Sequence, residues 1–268
     1  MQLPLTEEQT PSPPPRTVTF EQPLNERLRV FLRLEFLYQQ AVHHRDIADA
    51  WGMRAAIQSL LEIFAVTSRG DPKADVIKEV ERRLRLLNEY QNKPGVDGTR
   101  LRSVMNQLLQ RRDALQATSM TALAKLRDNE FLAAIKHRSA IPGGACEFDL
   151  PGYTHWLRLP DETRRADFAV WLSVLQPLCE TVQDLLWLTR ENVRAREEIA
   201  LEGNFHFVFE RDTPIQLLRI SLPADCGLHP EISGGLHRCS IRFLQWADAQ
   251  NRATQTTEDI PFVLGCCN

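Results

Sequence analysis

The run KHRSAIPGGACEFDLPGYTHWLRL, residues 136–159, divides the sequence into two stretches of different character. Before this run the apolar residues recur mostly at helical spacing, and after it most segments are typical of strands. Pro142-Gly143-Gly144 predicts the end of the preceding helix, because proline lacks a backbone donor and glycine adopts dihedral angles that other residues avoid. Residues 148–151 and 154–159 are predicted as short extended segments. We therefore expect the run to join a helical half to a strand-rich half.

Helical periodicity dominates the first half of the chain. It predicts five or six helices joined by short turns, near residues 24–43, 47–64, 72–90, 101–109 and 119–138, the last interrupted near residues 128–129. Asp71 is predicted to cap the third of these helices, with Pro72 at its first position. The first helix is apolar on two sides, with Phe31 and Phe36 in one row and Leu34 in the other. It is either the central helix of a bundle or part of a subunit interface.

The second half combines helices and strands. A helical pair is predicted over residues 160–195, interrupted at Pro177. Strands are predicted near residues 205–209, 215–222, 232, 238–246 and 260–264, separated by turns rich in Pro, Gly and Asp. The predicted fold class is α+β, with an N-terminal helical bundle domain and a C-terminal strand-rich domain. The second domain is expected to hold an antiparallel sheet with one covered face and the inserted helical pair.

Three segments follow from this organisation. Residues 1–19 are rich in proline and poor in apolar side chains, which predicts a disordered tail. Residues 20–140 are predicted to form the helical domain, and the helices of residues 160–195 are candidates to pack on it. Residues 141–268 are predicted to form the strand-rich domain.

Composition excludes several classes of protein. A net charge of −3 with 43% hydrophobic and 25% charged residues is ordinary for a globular chain, and it does not suggest nucleic acid or an anionic membrane as a partner. The sequence has no apolar core of a signal peptide and no apolar run of about 18 residues, so we expect a cytoplasmic protein without membrane insertion. The six cysteines lack metal-ligand spacing and are predicted to be free thiols.

The most informative predicted strand is Arg-Cys-Ser-Ile-Arg-Phe at residues 238–243. Side chains alternate across a strand, so Cys239, Ile241 and Phe243 are expected to face a core. Arg238 and Arg242 then share the opposite face, where two guanidinium groups suit a carboxylate or an acidic peptide. The plain alternative is a solvated basic surface without a ligand.

Two further arginines follow the same alternation. Arg219 is expected opposite Leu218 and Ile220, and Arg158 is expected opposite its two leucine neighbours. If these strands lie beside residues 238–243, their arginines line one face of a sheet.

Enzymatic and nucleic-acid functions find little support. The histidines are single, without a metal-binding motif, and a cluster of His237, Cys239 and Cys266-Cys267 fits poorly because adjacent cysteines point to opposite sides of a strand. Asp149 could pair with His155, but no nucleophile accompanies them, so an enzyme built on this pair is only a formal alternative. Aromatic residues are 7% of the chain, and acidic residues interleave with the arginines, which argues against a nucleic-acid surface. No catalytic residue, cofactor, metal or small-molecule substrate is predicted.

Several long strings in this sequence resemble the ZapD family of bacterial cell-division proteins. They are FEQPLNERLR, FLRLEFL, PGVDGTR, IPGGACEFDLP with the following HWL, and PEISGGLHRCSIRF. Their order matches, and the resemblance extends from about Phe20 to Cys266-Cys267, so the first 19 residues lie outside it. It implies a non-enzymatic cytoplasmic homodimer with a helical and a strand-rich domain. Such proteins bind the C-terminal tail of FtsZ, the filament of the division ring at mid-cell, and bundle filaments to promote ring assembly and septation.

The resemblance also assigns residues to the FtsZ tail. Arg238 and Arg242 lie in the matching GGLHRCSIRF string and are the best candidates, with Arg69 weaker because its turn differs in length and wording. Arg33 lies inside FLRLEFL, in a helix that could instead serve dimerisation. Glu130 stands where a basic residue is expected in the family. Further candidate basic contacts are Arg33, Arg127, Lys136, Arg138, Arg158 and Arg219.

A second interpretation keeps the fold and changes the partner. On that interpretation the chain is a non-enzymatic adaptor that binds another acidic peptide or protein through the same basic sheet face. The discriminating observation is whether FtsZ itself is bound.

Overall fold

The computed structural model describes residues 16–68, 70–91, 93–209, 215–235 and 238–268. The chain forms two compact units, a helical unit of residues Glu26–Glu191 and a strand unit that combines residues 16–25 with residues 192–268. The predicted α+β class is confirmed. The boundary between the units lies at residues 191–192, whereas the sequence suggested one at residues 140–141. The helices that follow the IPGG string therefore belong to the helical unit.

The helices other than α7 lie close to their predicted positions. Their bounds are α1 Glu26–Arg45, α2 Ala50–Thr67, α3 Pro72–Glu89, α4 Gly98–Ala117, α5 Met120–Arg127, α6 Glu130–Ser139, α7 Pro151–Leu157 and α8 Asp161–Glu191. Side-chain caps explain several starts. The predicted cap at Asp71 is confirmed, since its carboxylate accepts from the Ala74 backbone nitrogen at 3.0 Å. Among the described helices none is long and apolar enough to cross a bilayer.

The junction differs from the prediction in one respect. Helix α6 ends at Ser139, and Gly143 follows with a φ of 73°, which confirms that proline and glycine terminate this helix. The predicted extended segments at residues 148–151 and 154–159 are wrong, because a turn leads into α7 at Pro151. Tyr153 and Trp156 are both buried there and lie three residues apart, as on one face of a helix. A helix of only seven residues is too short for this periodicity to be recognised in the sequence.

The predicted interruption at Pro177 is also wrong, because α8 is continuous from Asp161 to Glu191. Proline removes one backbone donor from a helix. The apolar residues on both sides of Pro177 remain buried on one face, with Leu175 at 1% and Leu178 at 7% exposure. Packing along this face offsets the loss of one hydrogen bond.

Helix α8 is the centre of the helical unit. It packs against α1, α3 and α4, and its polar contacts with them are specific. Arg190 binds both carboxylate oxygens of Glu35 in α1 at 2.7 Å, and Thr189 accepts from Arg83 in α3 at 2.8 Å. Arg83 in turn pairs with Glu79 at 3.1 Å. These contacts fix the register of the long helix within the bundle.

The strand unit contains two antiparallel sheets among its described residues, where one was predicted. The strands are β1 Thr17–Pro23, β2 Val193–Ala200, β3 Asn204–Val208, β4 Leu217–Pro223, β5 Leu228–Gly234, β6 Arg238–Gln245, β7 Thr254–Gln255 and β8 Ile260–Cys267. The first sheet has the order β1-β4-β8-β2, and the second has the order β3-β6-β5 with β7 also on β6. Their inner faces pack into one core, to which both sheets contribute.

All predicted strands were assigned to a single sheet, because β1 and β2, two strands of the first sheet, were not recognised in the sequence. Strand β2 is charged and continues directly from α8, so it resembles the end of a helix in sequence. Strand β1 includes residues 17–19, which were assigned to the predicted tail and instead pair with residues 221–223 of β4. The remainder of the predicted tail, residues 1–15, lies outside the described residues.

Candidate functional site

Strand β6 has the predicted alternation. Cys239, Ile241 and Phe243 are buried at 3%, 0% and 0% exposure, whereas Arg238 and Arg242 are exposed. The three buried side chains join the core between the two sheets. The two arginines therefore lie on the outer face of the second sheet, as predicted.

Strand register identifies the neighbours of these arginines. Val208 of β3 lies opposite Arg238, and Glu231 of β5 lies opposite Arg242. Residues directly opposed in an antiparallel pair share a face of the sheet. We call this outer face, with Arg238, Arg242 and the residues opposite them, the arginine face. An open depression of about 770 Å³ lies here, lined in part by Arg238, Ser240, His206, Val208 and Ser233.

The two arginines differ in their ionic partners. Arg242 forms an ion pair with Glu231, and both side chains are more than half exposed, at 53% and 54%. An exposed pair of this kind is worth about 0–1 kcal/mol, so a stronger acidic ligand can displace Glu231. Arg238 has no ion pair with any residue that the structure describes. A ligand on the arginine face can therefore bind Arg238 directly, and it can bind Arg242 by displacing Glu231.

An apolar contact lies beside these cations. Val208 is 74% exposed although it lies in a strand. Sequence reasoning identified the strand around it but did not connect it with Arg238, because the connection depends on the β3–β6 register. The alternation in Phe-His-Phe-Val-Phe was the available signal that His206 and Val208 share a face.

The expectation that Arg219 and Arg158 line the same face is wrong. Arg219 lies in β4 of the first sheet, whose partners are β1 and β8, and it pairs with Glu21 at 3.1 Å. Arg158 follows α7 in the helical unit and pairs with Glu147 at 2.9 Å. Strand neighbourhood, which the sequence left open, decides the case of Arg219, whereas Arg158 is excluded because residues 154–159 do not form a strand.

The remaining basic candidates belong to the helical unit. Arg127 and Lys136 line one cavity, whereas Arg138 pairs with Asp149 at 3.4 Å. Arg33 is exposed on α1. Arg69 lies outside the described residues. The structure thus brings Arg238 and Arg242 together in one unit, and Arg127 and Lys136 together in the other.

In the structure Asp149 has partners other than His155, with which the sequence could pair it. Asp149 pairs with Arg138 and accepts from the Cys146 thiol, whereas His155 is exposed on α7. Within the described residues no group of three or more His, Cys, Asp or Glu side chains could hold a metal ion. His237, one member of the proposed metal cluster, lies outside those residues.

Burial raises the pKa of the Cys239 and Cys266 thiols of that cluster. Cys266 faces the core between the sheets, and Cys267 points to the opposite face, as the strand register requires. Burial, with a smaller contribution from Cys266, raises the pKa of the Cys239 thiol to about 11. A protonated thiol is a poor nucleophile and a poor metal ligand, so the raised pKa disfavours Cys239 in either role.

Comparison with known proteins gives a consistent result. Residues 32–242 match the model of a family described as ZapD, cell division protein. A protein of Methylococcus capsulatus (strain Bath) named "Cell division protein ZapD" is 35% identical over 250 residues. That match covers 93% of this chain and 98% of the relative.

Proposed function

The chain belongs to the ZapD family of cell-division proteins, and from this premise we propose that it binds the C-terminal tail of FtsZ through the arginine face. A role in cell division follows from the family, which is not a known enzyme family. We further propose that the chain acts without catalysis, as a homodimer that cross-links and bundles FtsZ filaments. On this proposal it works in the cytoplasm and is recruited to the division ring at mid-cell.

The observation that carries the proposal is the exposed pair Arg238 and Arg242 on the arginine face. Guanidinium groups bind carboxylates through directed, charge-assisted hydrogen bonds, so two of them on one strand face, with Ser240 between them, suit an extended acidic tail that carries more than one carboxylate. Val208, exposed beside Arg238, adds an apolar contact that a purely electrostatic surface would lack. Among the basic candidates that the structure describes, this pair alone combines a matching family string with a shared strand face.

Dimerisation converts a weak contact into filament cross-linking. One tail held by exposed charges binds modestly. A dimer presents two arginine faces, and once the first tail is bound the second contact is intramolecular, which can raise avidity by about 10²–10⁴-fold. Phe36 in α1 is 63% exposed, beside the half-buried Leu32 one turn earlier. This apolar surface favours the interpretation of α1 as part of a subunit interface.

The proposal predicts a strong dependence on salt. Raising the ionic strength from about 50 to about 300 mM should weaken binding of a fluorescein-labelled FtsZ tail peptide by up to about tenfold, because the contacts are exposed charges screened by salt. Fluorescence anisotropy measures the affinity, and pelleting of FtsZ bundles should fall in parallel. An affinity that does not change with salt would mean that the tail binds an apolar site elsewhere.

A further inference from the structure

A second cavity lies within the helical unit, between α2, α5 and α6. Its volume is about 560 Å³. Its floor is apolar and buried, formed by Leu61 and Phe64 of α2, Leu126 of α5 and Leu132 of α6, all at most 9% exposed. Apolar surface of this kind, reachable from solvent, is typical of a binding groove.

The rim of this cavity is basic. Arg127, Lys136 and His137 are exposed and line its edge, and none of the described residues that line it is acidic. Arg127 has one ionic partner, Asp128, at 3.4 Å, in a pair whose side chains are 71% and 70% exposed. Lys136 has no ion pair among the residues that the structure describes. The rim therefore favours a ligand with negative charge beside its apolar part.

We propose that this cavity is a second docking site, and that its occupant is an acidic amphipathic helix of a protein partner. Its apolar side chains would lie on the floor of Leu61, Phe64 and Leu132, and its carboxylates would face Lys136 and Arg127. Grooves of this type bind helices through apolar residues at helical spacing. The basic rim selects acidic helices over neutral or basic ones.

A protein segment fits this cavity better than a free small amphiphile. Small-molecule sites bury most of the ligand surface. Here the exposed rim residues come from the C-terminal cap of α2, at Ser68, and from α5 and α6, and they leave the cavity open along its edge. The proposal goes beyond tail binding at the arginine face, because it gives each chain a second, independent site for an acidic partner.

The test uses the full chain and a synthetic probe. The probe is a fluorescein-labelled peptide of about 16 residues with leucines on one helical face and glutamates on the other. We expect Lys136→Glu to weaken its binding by about tenfold in fluorescence anisotropy, because an attraction becomes a repulsion. Lys125→Glu is the matched control, since Lys125 is exposed on α5 outside the cavity lining. Ala133→Trp, which fills the cavity, should also weaken binding.

Three results would overturn the proposal. Equal affinity of the Lys136→Glu and Lys125→Glu variants would exclude the rim. Equal binding of a scrambled peptide of the same composition would show attraction by charge alone. Binding of oleate without binding of the peptide would identify a small-molecule site. Because the acidic probe can also contact the arginine face, the Lys136→Glu and Lys125→Glu variants are compared in the R238E/R242E background as well, where the loss caused by Lys136→Glu should persist, so failure here is distinguishable from failure of tail binding at the arginine face.

Discussion

Replacing Arg238 and Arg242 together by glutamate is expected to abolish bundling of FtsZ filaments. Each reversal turns an attraction for a carboxylate into a repulsion and should weaken tail binding by about tenfold. Because bundling needs both sites of a dimer, the loss is multiplied through avidity. Both side chains are exposed, so the fold is expected to tolerate the change. Light scattering and pelleting of polymerised FtsZ measure the effect.

The matched control reverses two exposed arginines elsewhere in the strand unit. Arg194 lies in β2 of the first sheet, and Arg252 lies in the segment before β7. The variant Arg194→Glu/Arg252→Glu has the same net charge as R238E/R242E and should bundle normally. Undiminished bundling by R238E/R242E, or equal loss in the control, would remove the assignment of the arginine face.

Replacing Glu79 by alanine is expected to destabilise the helical unit by about 3–5 kcal/mol. The Glu79 side chain is 5% exposed and pairs with Arg83, which is 7% exposed, and with Arg27 at 3.1 Å. Arg82 also contacts it at 2.5 Å. Without the carboxylate, the buried guanidinium of Arg83 would lose its ion pair with Glu79, and Arg27 and Arg82 would lose theirs. Urea unfolding followed by far-ultraviolet circular dichroism measures the change.

Glu81→Ala is the matched control, because Glu81 lies in the same helix and is exposed. It should change the free energy of unfolding by less than about 0.5 kcal/mol. Similar midpoints for Glu79→Ala and the unsubstituted protein would show that the buried network contributes little to stability.

The same carboxylate makes stability depend on pH. Burial alone would raise the pKa of Glu79, but hydrogen bonding and charge from Arg82, with the charges of Arg27 and Arg83, outweigh burial and lower it below its usual 4.5. A lowered pKa in the folded state means that the unfolded chain binds the proton more readily. The stabilisation by Glu79 is therefore complete at neutral pH and is lost as the pH falls below about 4.5 through the folded-state pKa. The Glu79→Ala variant should lack this acid-dependent component.

Local patterns predicted much of the helical unit. Apolar spacing and the capping residue Asp71 located α3, and the break near residues 128–129 separated α5 from α6. The errors came where a tertiary contact outweighs a local signal. Packing carries α8 through Pro177, and the buried rings of Tyr153 and Trp156 make α7 helical. Strand β2 forms in a charged sequence because β8 supplies its hydrogen-bonding partner.

The arginine face was partly predictable for a related reason. Alternation within one strand places Arg238 and Arg242 on a common side without knowledge of other strands. The neighbours of these arginines depend on which strands pair and in what register, and short-range patterns do not encode this. Val208 and Glu231 were therefore missed, and Arg219 was considered for a sheet to which it does not belong.

Co-sedimentation with polymerised FtsZ tests tail binding and cross-linking most directly. Full-length FtsZ is compared with FtsZ that lacks its C-terminal tail, at low salt and with the unsubstituted chain. We predict that the chain pellets and bundles filaments only when the tail is present. Equal pelleting with both forms would contradict tail binding, and absence of pelleting with either would contradict FtsZ as the partner.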